Sequence, residues 1–374
     1  MSATDTAGIV SLADYEARAR QVLDDRTWAY LCGGAADERT LRANREAWAS
    51  PWLQPRVLRP LVQGHTRIEL LGRTLAHPIL VAPVAWQRLA HASGELGTAL
   101  AAAAQGAGMV LSAQASVAME EVARIVLSEA QRGPLWFQLY LQGDRGFDGE
   151  LVRRAEAAGF EALVLTVDAP VHGARDRERR AGFRLPAGIS AVNLAGAPRA
   201  RTGGELCGGL LAAAPSWDDV AWLRAHTRLP LLLKGVLHPD DARLAQAHGV
   251  DALIVSNHGG RTLDTALPTA WALPRIADSL GDALPLLVDG GIRRGTDVLK
   301  AIALGARAVL IGRPIVQALA VAGPHGVAHA LRLLRDETEI AMALCGVATL
   351  AEVHREMLFD APRSALGAPW ERPR

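Results

Sequence analysis

Cysteine is scarce in this chain: only Cys32, Cys207 and Cys345 occur among 374 residues, far apart and with no CxxC pair. That spacing excludes a disulfide framework and a zinc knuckle, and fits a reducing compartment, so a cytoplasmic protein is expected. Net charge is nearly absent as well. The formal balance of +1 offers no electrostatic footprint for nucleic acid or for a strongly charged partner. Long apolar runs are missing: the Ala- and Gly-rich stretch from Thr98 to Val110 is too short to span a bilayer. The opening MSATDTAGIVSLADYE carries early acids and no apolar core, so neither a secretory signal nor a membrane partner is expected. No GxGxxG opens a strand–helix unit, which argues against a dinucleotide fold.

What the chain does have is an apolar half of its residues, arranged in a repeat. From about residue 78, short apolar runs end in polar or glycine-bearing turns, and a helical pattern follows each. The runs are Ile79–Pro83, Met109–Gln114, Leu135–Leu141, Ala162–Asp168, Leu229–Gly235, Ala252–Asn257, Leu284–Gly291 and Ala308–Pro314. Helices are predicted at Gly94–Gln105, Met119–Glu129, Gly149–Ala158, Ser216–Ala225, Pro239–Ala247, Ala270–Leu280 and Gly295–Leu304. Continuously apolar strands imply burial on both faces, as in a parallel sheet covered by helices. Eight such units in roughly 250 residues predict an α/β fold, a closed (β/α)8 barrel; a doubly wound open sheet is the alternative. One domain is expected over 1–374, with an N-terminal helical extension at 1–75, the barrel at 76–335, and a C-terminal helix and tail at 336–374. The spacing breaks once, where about 60 residues separate Asp168 from Leu229. This long loop, 169–228, is rich in Gly, Pro and Ala between Pro186 and Gly209 and reads as a lid over the barrel mouth.

Polar residues gather where the predicted strands end, the face on which barrel enzymes keep their sites. The ends read Gln138-Leu-Tyr140, Thr166-Val-Asp168 with Arg175 soon after, Lys234-Gly235, Ser256-Asn-His258-Gly-Gly-Arg261, Asp289-Gly290-Gly291-Ile-Arg293 and Gly312-Arg313. Each alone has a plain structural explanation; six in succession do not. The glycines after strands seven and eight let backbone N–H groups approach a phosphate, and Arg293 and Arg313 add charged donors. Arg175 and Arg261 suit the carboxylate of an organic acid, through bidentate forks. His258 is a general base near its working pH, with Asp168 to orient the ring.

Ser256–Arg261 as SNHGGR, 287–297 as LVDGGIRRGTD and Ile311–Pro314 as IGRP resemble the FMN-dependent 2-hydroxy-acid oxidase and dehydrogenase family. Its members include glycolate, lactate and hydroxymandelate oxidases and mandelate dehydrogenase. The resemblance runs from Tyr30 and the Gly33-Gly-Ala-Ala-Asp37 turn to Met342. It implies FMN as cofactor, with a small-molecule 2-hydroxy acid and dioxygen or another acceptor as partners, in a homotetramer or homo-octamer. It implies His258 as base with Asp168, and Arg261, Arg175 and Tyr30 on the substrate carboxylate. Tyr140 would bond the substrate oxygen opposite the histidine. Lys234 would stand near flavin N1 and O2, and Ala85, in the cofactor-binding segment Ala82-Pro83-Val84-Ala85, would abut N5. Ser112, Gln138, Thr166 and Ser256 would hold the ring, and Asp289, Gly290, Gly291, Arg293, Gly312 and Arg313 the ribityl chain and phosphate.

Three positions depart from the glycolate-oxidase branch of that family: Trp86 stands for methionine, Gln114 for tryptophan and His172 for a common leucine. Trp86 and Gln114 are therefore expected in the substrate side-chain pocket, and an L-acid with an aromatic or bulky side chain, such as mandelate, is expected over glycolate or lactate. Two rival classes fit these residues less well: a flavin-barrel isomerase of a diphosphate and a non-catalytic flavin-binding barrel. Neither needs the Asp168–His258 pair together with Arg175 and Arg261.

Overall fold

The computed structural model describes residues 6–198 and 214–360. Cys207, the distal part of the Gly/Pro/Ala-rich loop and the C-terminal tail lie outside the described residues.

Eight parallel strands close into a barrel: β1 Ile79–Val81, β2 Gly108–Ser112, β3 Leu135–Leu139, β4 Leu163–Thr166, β5 Leu231–Val236, β6 Ala252–Val255, β7 Leu286–Val288 and β8 Ala308–Ile311. They pair in sequence order, and β8 closes on β1 through Val309–Ile79 and Ile311–Val81. Six fall inside the apolar runs predicted, while β2 starts one residue before its run and β5 ends one residue beyond it; most stop short of the run's C-terminal end, where the chain leaves the ladder.

Side-chain alternation divides each strand between two cores. Ile79, Val81, Leu111, Phe137, Leu165, Leu233, Val255, Val288 and Ile311 face outward and pack under the helices. Leu80, Val110, Trp136, Val164, Leu232, Ile254, Leu287 and Leu310 point inward and fill the barrel. Trp136 is the bulkiest, and Ala162, Ala252 and Ala308 in the same cluster leave it room. A hairpin, Ile68–Leu70 with Arg73–Leu75, plugs the opposite end by adding Leu70 and Leu75 to this interior core.

Three helices precede the barrel: α1 Leu12–Val22, α2 Asp25–Cys32 and α3 Arg39–Ala49. Helices α4 Gly94–Ala104, α5 Met119–Val126, α6 Arg145–Ala158, α7 Asp176–Arg180, α8 Trp217–His226, α9 Pro239–Ala247, α10 Thr269–Leu280 and α11 Gly295–Ala303 follow. Ser216 caps α8 in a capping box with Asp219. The last helical stretch, α12, spans Arg313–Cys345 and breaks at Ala322 and Gly323, where Pro324 begins a second segment. No helix among the described residues is long and apolar enough to cross a membrane.

Candidate active site

One layer above the barrel's interior core, the inward positions are Ala82, Ser112, Gln138, Thr166, Lys234, Ser256, Asp289 and Gly312, each two residues beyond an interior apolar residue. Small or polar groups here replace the Val, Leu and Ile below. The packed core ends, and a polar floor begins at the strands' C-terminal face.

Lys234 is 4% exposed and its Nζ lies 3.1 Å from Asp289 Oδ2 and 3.0 Å from Ser256 Oγ. Burial acts to lower its pKa, but Asp289, Asp168 and Tyr140 outweigh burial and raise it, so the ammonium persists. Ser112 Oγ donates to Gln138 Oε1 at 3.1 Å, which leaves the Gln138 amide nitrogen buried without a partner. Thr166 lies beside Lys234 in the β4–β5 register.

On one side of this floor stands His258, in a left-handed conformation at φ 56°. Its N–H bonds Ser256 Oγ at 3.0 Å, and its Nδ1 meets Asp168 Oδ1 at 2.9 Å. Strain of this kind costs about 1–3 kcal/mol and persists where function needs the geometry. Burial opposes ionisation of Asp168, yet His258 and Lys234 overcome it and hold the carboxyl below its ordinary pKa. Burial, aided by Lys234 and Arg261, outweighs Asp168 and pushes the imidazole down. The resting pair is therefore a carboxylate and a neutral ring whose Nε2 is not engaged by Asp168.

Two arginines lie near Tyr30. Arg261 Nη1 donates to the carbonyls of Tyr30 at 2.6 Å and Gly33 at 3.0 Å, and its guanidinium lies 5.2 Å from the Tyr30 ring. Arg175 Nη1 is 3.5 Å from Glu178 Oε2, and its buried Nε has no partner. Tyr140 is pushed up to about 12, by burial first, so it stays a phenol. Trp86 and Tyr30 have ring centroids 5.4 Å apart, and Phe183 stacks on Tyr30 at 4.5 Å and 13°. The backbone of Trp86 donates to Gln114 O at 3.1 Å. His172 is exposed, in the same loop as Arg175, and its pKa is lowered by partial burial and by Arg175.

Arg293 and Arg313 occupy the far side. Burial, then repulsion from Arg261 and Arg293, pushes Arg313 down to about 9; burial and Arg45 push Arg293 to about 10. Arg313 donates to Gly259 O and Gly33 O, both at 2.8 Å. Gly290 and Gly291 have φ of 89° and 96°, and a Cβ on Gly291 would sit 2.6 Å from Asn44 O. The Nε atoms of both arginines, Asp289 Oδ1 and Gln138 Nε2 are buried without partners. Orphaned donors and an orphaned carboxylate acceptor beside concentrated positive charge fit an anionic group that also carries hydroxyls, such as FMN. Positions Ala82 to Ala85 continue from β1 into the same mouth.

Several supporting residues escaped the sequence reading. Asn44 and Asn257 exchange amide bonds at 2.9 and 2.8 Å, Trp48 Nε1 donates to Gly290 O at 2.8 Å, and Thr269 Oγ1 donates to Asp289 O at 2.6 Å. Helix α3 thereby braces the loops after β6 and β7. Glu38 accepts from Gly34 N at 2.8 Å and pairs with Arg177, tying the loop after β4 to the turn after α2. Only the periodic burial of Asn44 and Trp48 within α3 could have flagged the first pair.

A parallel eight-stranded barrel whose mouth holds buried arginines and a His–Asp pair is compatible with an oxidoreductase that binds an anionic cofactor. The sequence matches the model of FMN-dependent dehydrogenases over residues 19–360. L-lactate oxidase of Alicycliphilus denitrificans is 47% identical over 358 residues, 94% of this chain and 96% of that protein. Glycolate oxidase of Spinacia oleracea is 41% identical over 372 residues, 98% and 97% of the two chains. A crystal structure of mandelate oxidase with benzoyl-formic acid superposes with a TM-score of 0.85 at 44% identity, covering 94% of this chain and 98% of that one. The chain belongs to the FMN-dependent dehydrogenase family, among its 2-hydroxy-acid oxidases, and FMN is its cofactor.

Proposed function

We propose that the chain oxidises an L-2-hydroxy acid with an aromatic or bulky apolar side chain, of the mandelate type, to the 2-oxo acid. Dioxygen takes the two electrons and two protons and leaves as hydrogen peroxide; the relatives named above are all oxidases. The observation that supports the choice of side chain is the aromatic cluster of Trp86, Tyr30 and Phe183, with the Arg261 guanidinium 5.2 Å from the Tyr30 ring. A phenyl ring packed on Trp86 gains about 0.5–1.5 kcal/mol beyond area burial.

In this reading Arg261 and Arg175 bind the substrate carboxylate, with Tyr30 beside them, and the Tyr140 hydroxyl bonds the substrate oxygen. His258 Nε2 takes the proton that leaves the substrate, and the Asp168 carboxylate stabilises the imidazolium so formed. Bound FMN supplies a two-electron acceptor. Ala85, Ser112, Gln138, Thr166 and Ser256 would hold its ring, and the Lys234 ammonium would favour negative charge on it. Asp289 would hold the ribityl hydroxyls, and Gly290, Gly291, Arg293, Gly312 and Arg313 the phosphate.

A smaller substrate, lactate, is favoured by a different observation: Trp86 is half-buried against Tyr30, so its bulk narrows the pocket. Measuring kcat/KM for L-mandelate, L-lactate and glycolate under one set of conditions separates the two. Mandelate is expected to lead; a lactate or glycolate value more than about tenfold higher overturns the aromatic reading, since one or two methylenes command that range. We further propose a cytoplasmic homotetramer or homo-octamer, which light scattering of the purified protein checks.

A further inference from the structure

Glu95, in the first turn of α4, is 0% exposed. A carboxylate cut off from water needs donors, and among the described residues it has no cationic partner. Its donors come from the two loops that carry Trp86 and Gln114. Oε1 accepts from Gln87 N at 2.8 Å and Ser116 N at 2.9 Å, and Oε2 accepts from Ser116 Oγ at 2.7 Å. Ser116 Oγ also accepts from Arg88 N at 3.1 Å. One turn along α4, Thr98 Oγ1 donates to Gln87 Oε1 at 2.6 Å. Gln87, Thr98 and Ser116 are all buried.

This network brackets Trp86, whose own N–H bonds Gln114 O and whose φ of 50° is left-handed. A tryptophan does not hold that backbone unaided. The residue after it is tied to Glu95, and the loop it bonds is tied to Glu95 two residues further on. We infer that Glu95 is a positioning residue for substrate selection: it locks the loop after β1 to the loop after β2 and so sets where the Trp86 wall stands. The inference rests on the reading that Trp86 and Gln114 line the side-chain pocket.

The test uses the flavin-loaded enzyme and four variants: Trp86→Ala, Glu95→Gln, Ser116→Ala and the double variant Trp86→Ala/Glu95→Gln. Two quantities are read. One is the ratio of kcat/KM for L-mandelate to that for L-lactate. The other, free of turnover, is the dissociation constant of the 2-oxo acid of mandelate, titrated by the flavin absorbance change. Glu95→Gln keeps the volume but turns one acceptor into a donor, and should shift the ratio and weaken the oxo acid by roughly tenfold, the scale of a hydrogen bond to a charged group. Ser116→Ala should move both the same way by less. In the double variant, Glu95→Gln should add nothing to the ratio, because the wall it positions is gone.

If Trp86→Ala leaves the ratio unchanged, the pocket reading fails and the inference with it. Should Trp86→Ala shift the ratio while both Glu95→Gln and Ser116→Ala leave it within about twofold, the inference alone is overturned. If Glu95→Gln does not fold, Ser116→Ala decides by the same criterion.

Discussion

Changing Asp168 to asparagine separates the charge of the buried pair from its shape. The amide oxygen can still accept from His258 Nδ1, 2.9 Å away, so the ring keeps an anchor. What disappears is the attraction between a carboxylate and the imidazolium formed during turnover. For charges about 4 Å apart at an effective dielectric near 20, that attraction is about 4 kcal/mol. Half to all of it appearing in the barrier slows flavin reduction by roughly 30- to 1,000-fold, at about 1.4 kcal/mol per tenfold. The pH profile carries an independent sign. Asp168 raises the pKa of His258, against burial, Lys234 and Arg261, which lower it. Its removal drops the imidazole pKa further, so the acid limb, where the base becomes protonated, moves to lower pH even as the plateau falls. Anaerobic stopped-flow reduction across pH reads both. A plateau within about threefold of the parent, or an acid limb moved to higher pH, refutes the pairing.

Arg313→Gln should weaken FMN binding more than tenfold, the order of a charge-assisted hydrogen bond, by fluorescence titration of the flavin-free protein. Gly291→Ala sets a Cβ 2.6 Å from Asn44 O at φ 96° and should cost at least about 1–3 kcal/mol in thermal unfolding. Phe183→Ala removes the 4.5 Å stack on Tyr30 and should raise KM for an aromatic acid by about three- to tenfold with a smaller change in kcat.

The barrel was legible because buried parallel strands announce themselves as unbroken apolar runs, and all eight runs hold a strand. Much of the site was legible for a related reason. Polar residues such as Gln138, Lys234 and Asp289 interrupt the apolar pattern where the strands leave the core, and nothing in packing calls for them there. The braces were not legible. Asn44 finds Asn257 across 213 positions, and Trp48 finds Gly290 across 242. No local pattern in either segment names the other. Glu95 resembles an ordinary first-turn acid, and only burial reveals that its donors lie in two loops. Phe183 sits in the long excursion after β4, where periodicity is lost and ring stacking on Tyr30 decides its place.

Mixing the purified yellow protein anaerobically with L-mandelate, beside its His258→Asn variant, addresses the chemistry most directly. The parent flavin should bleach in the time of one turnover, while the variant keeps its flavin and bleaches slower by about 10²–10⁴-fold. A variant reduced at the parental rate would show that His258 is not the base, and a parent left yellow by mandelate, lactate and glycolate alike would contradict 2-hydroxy-acid oxidation.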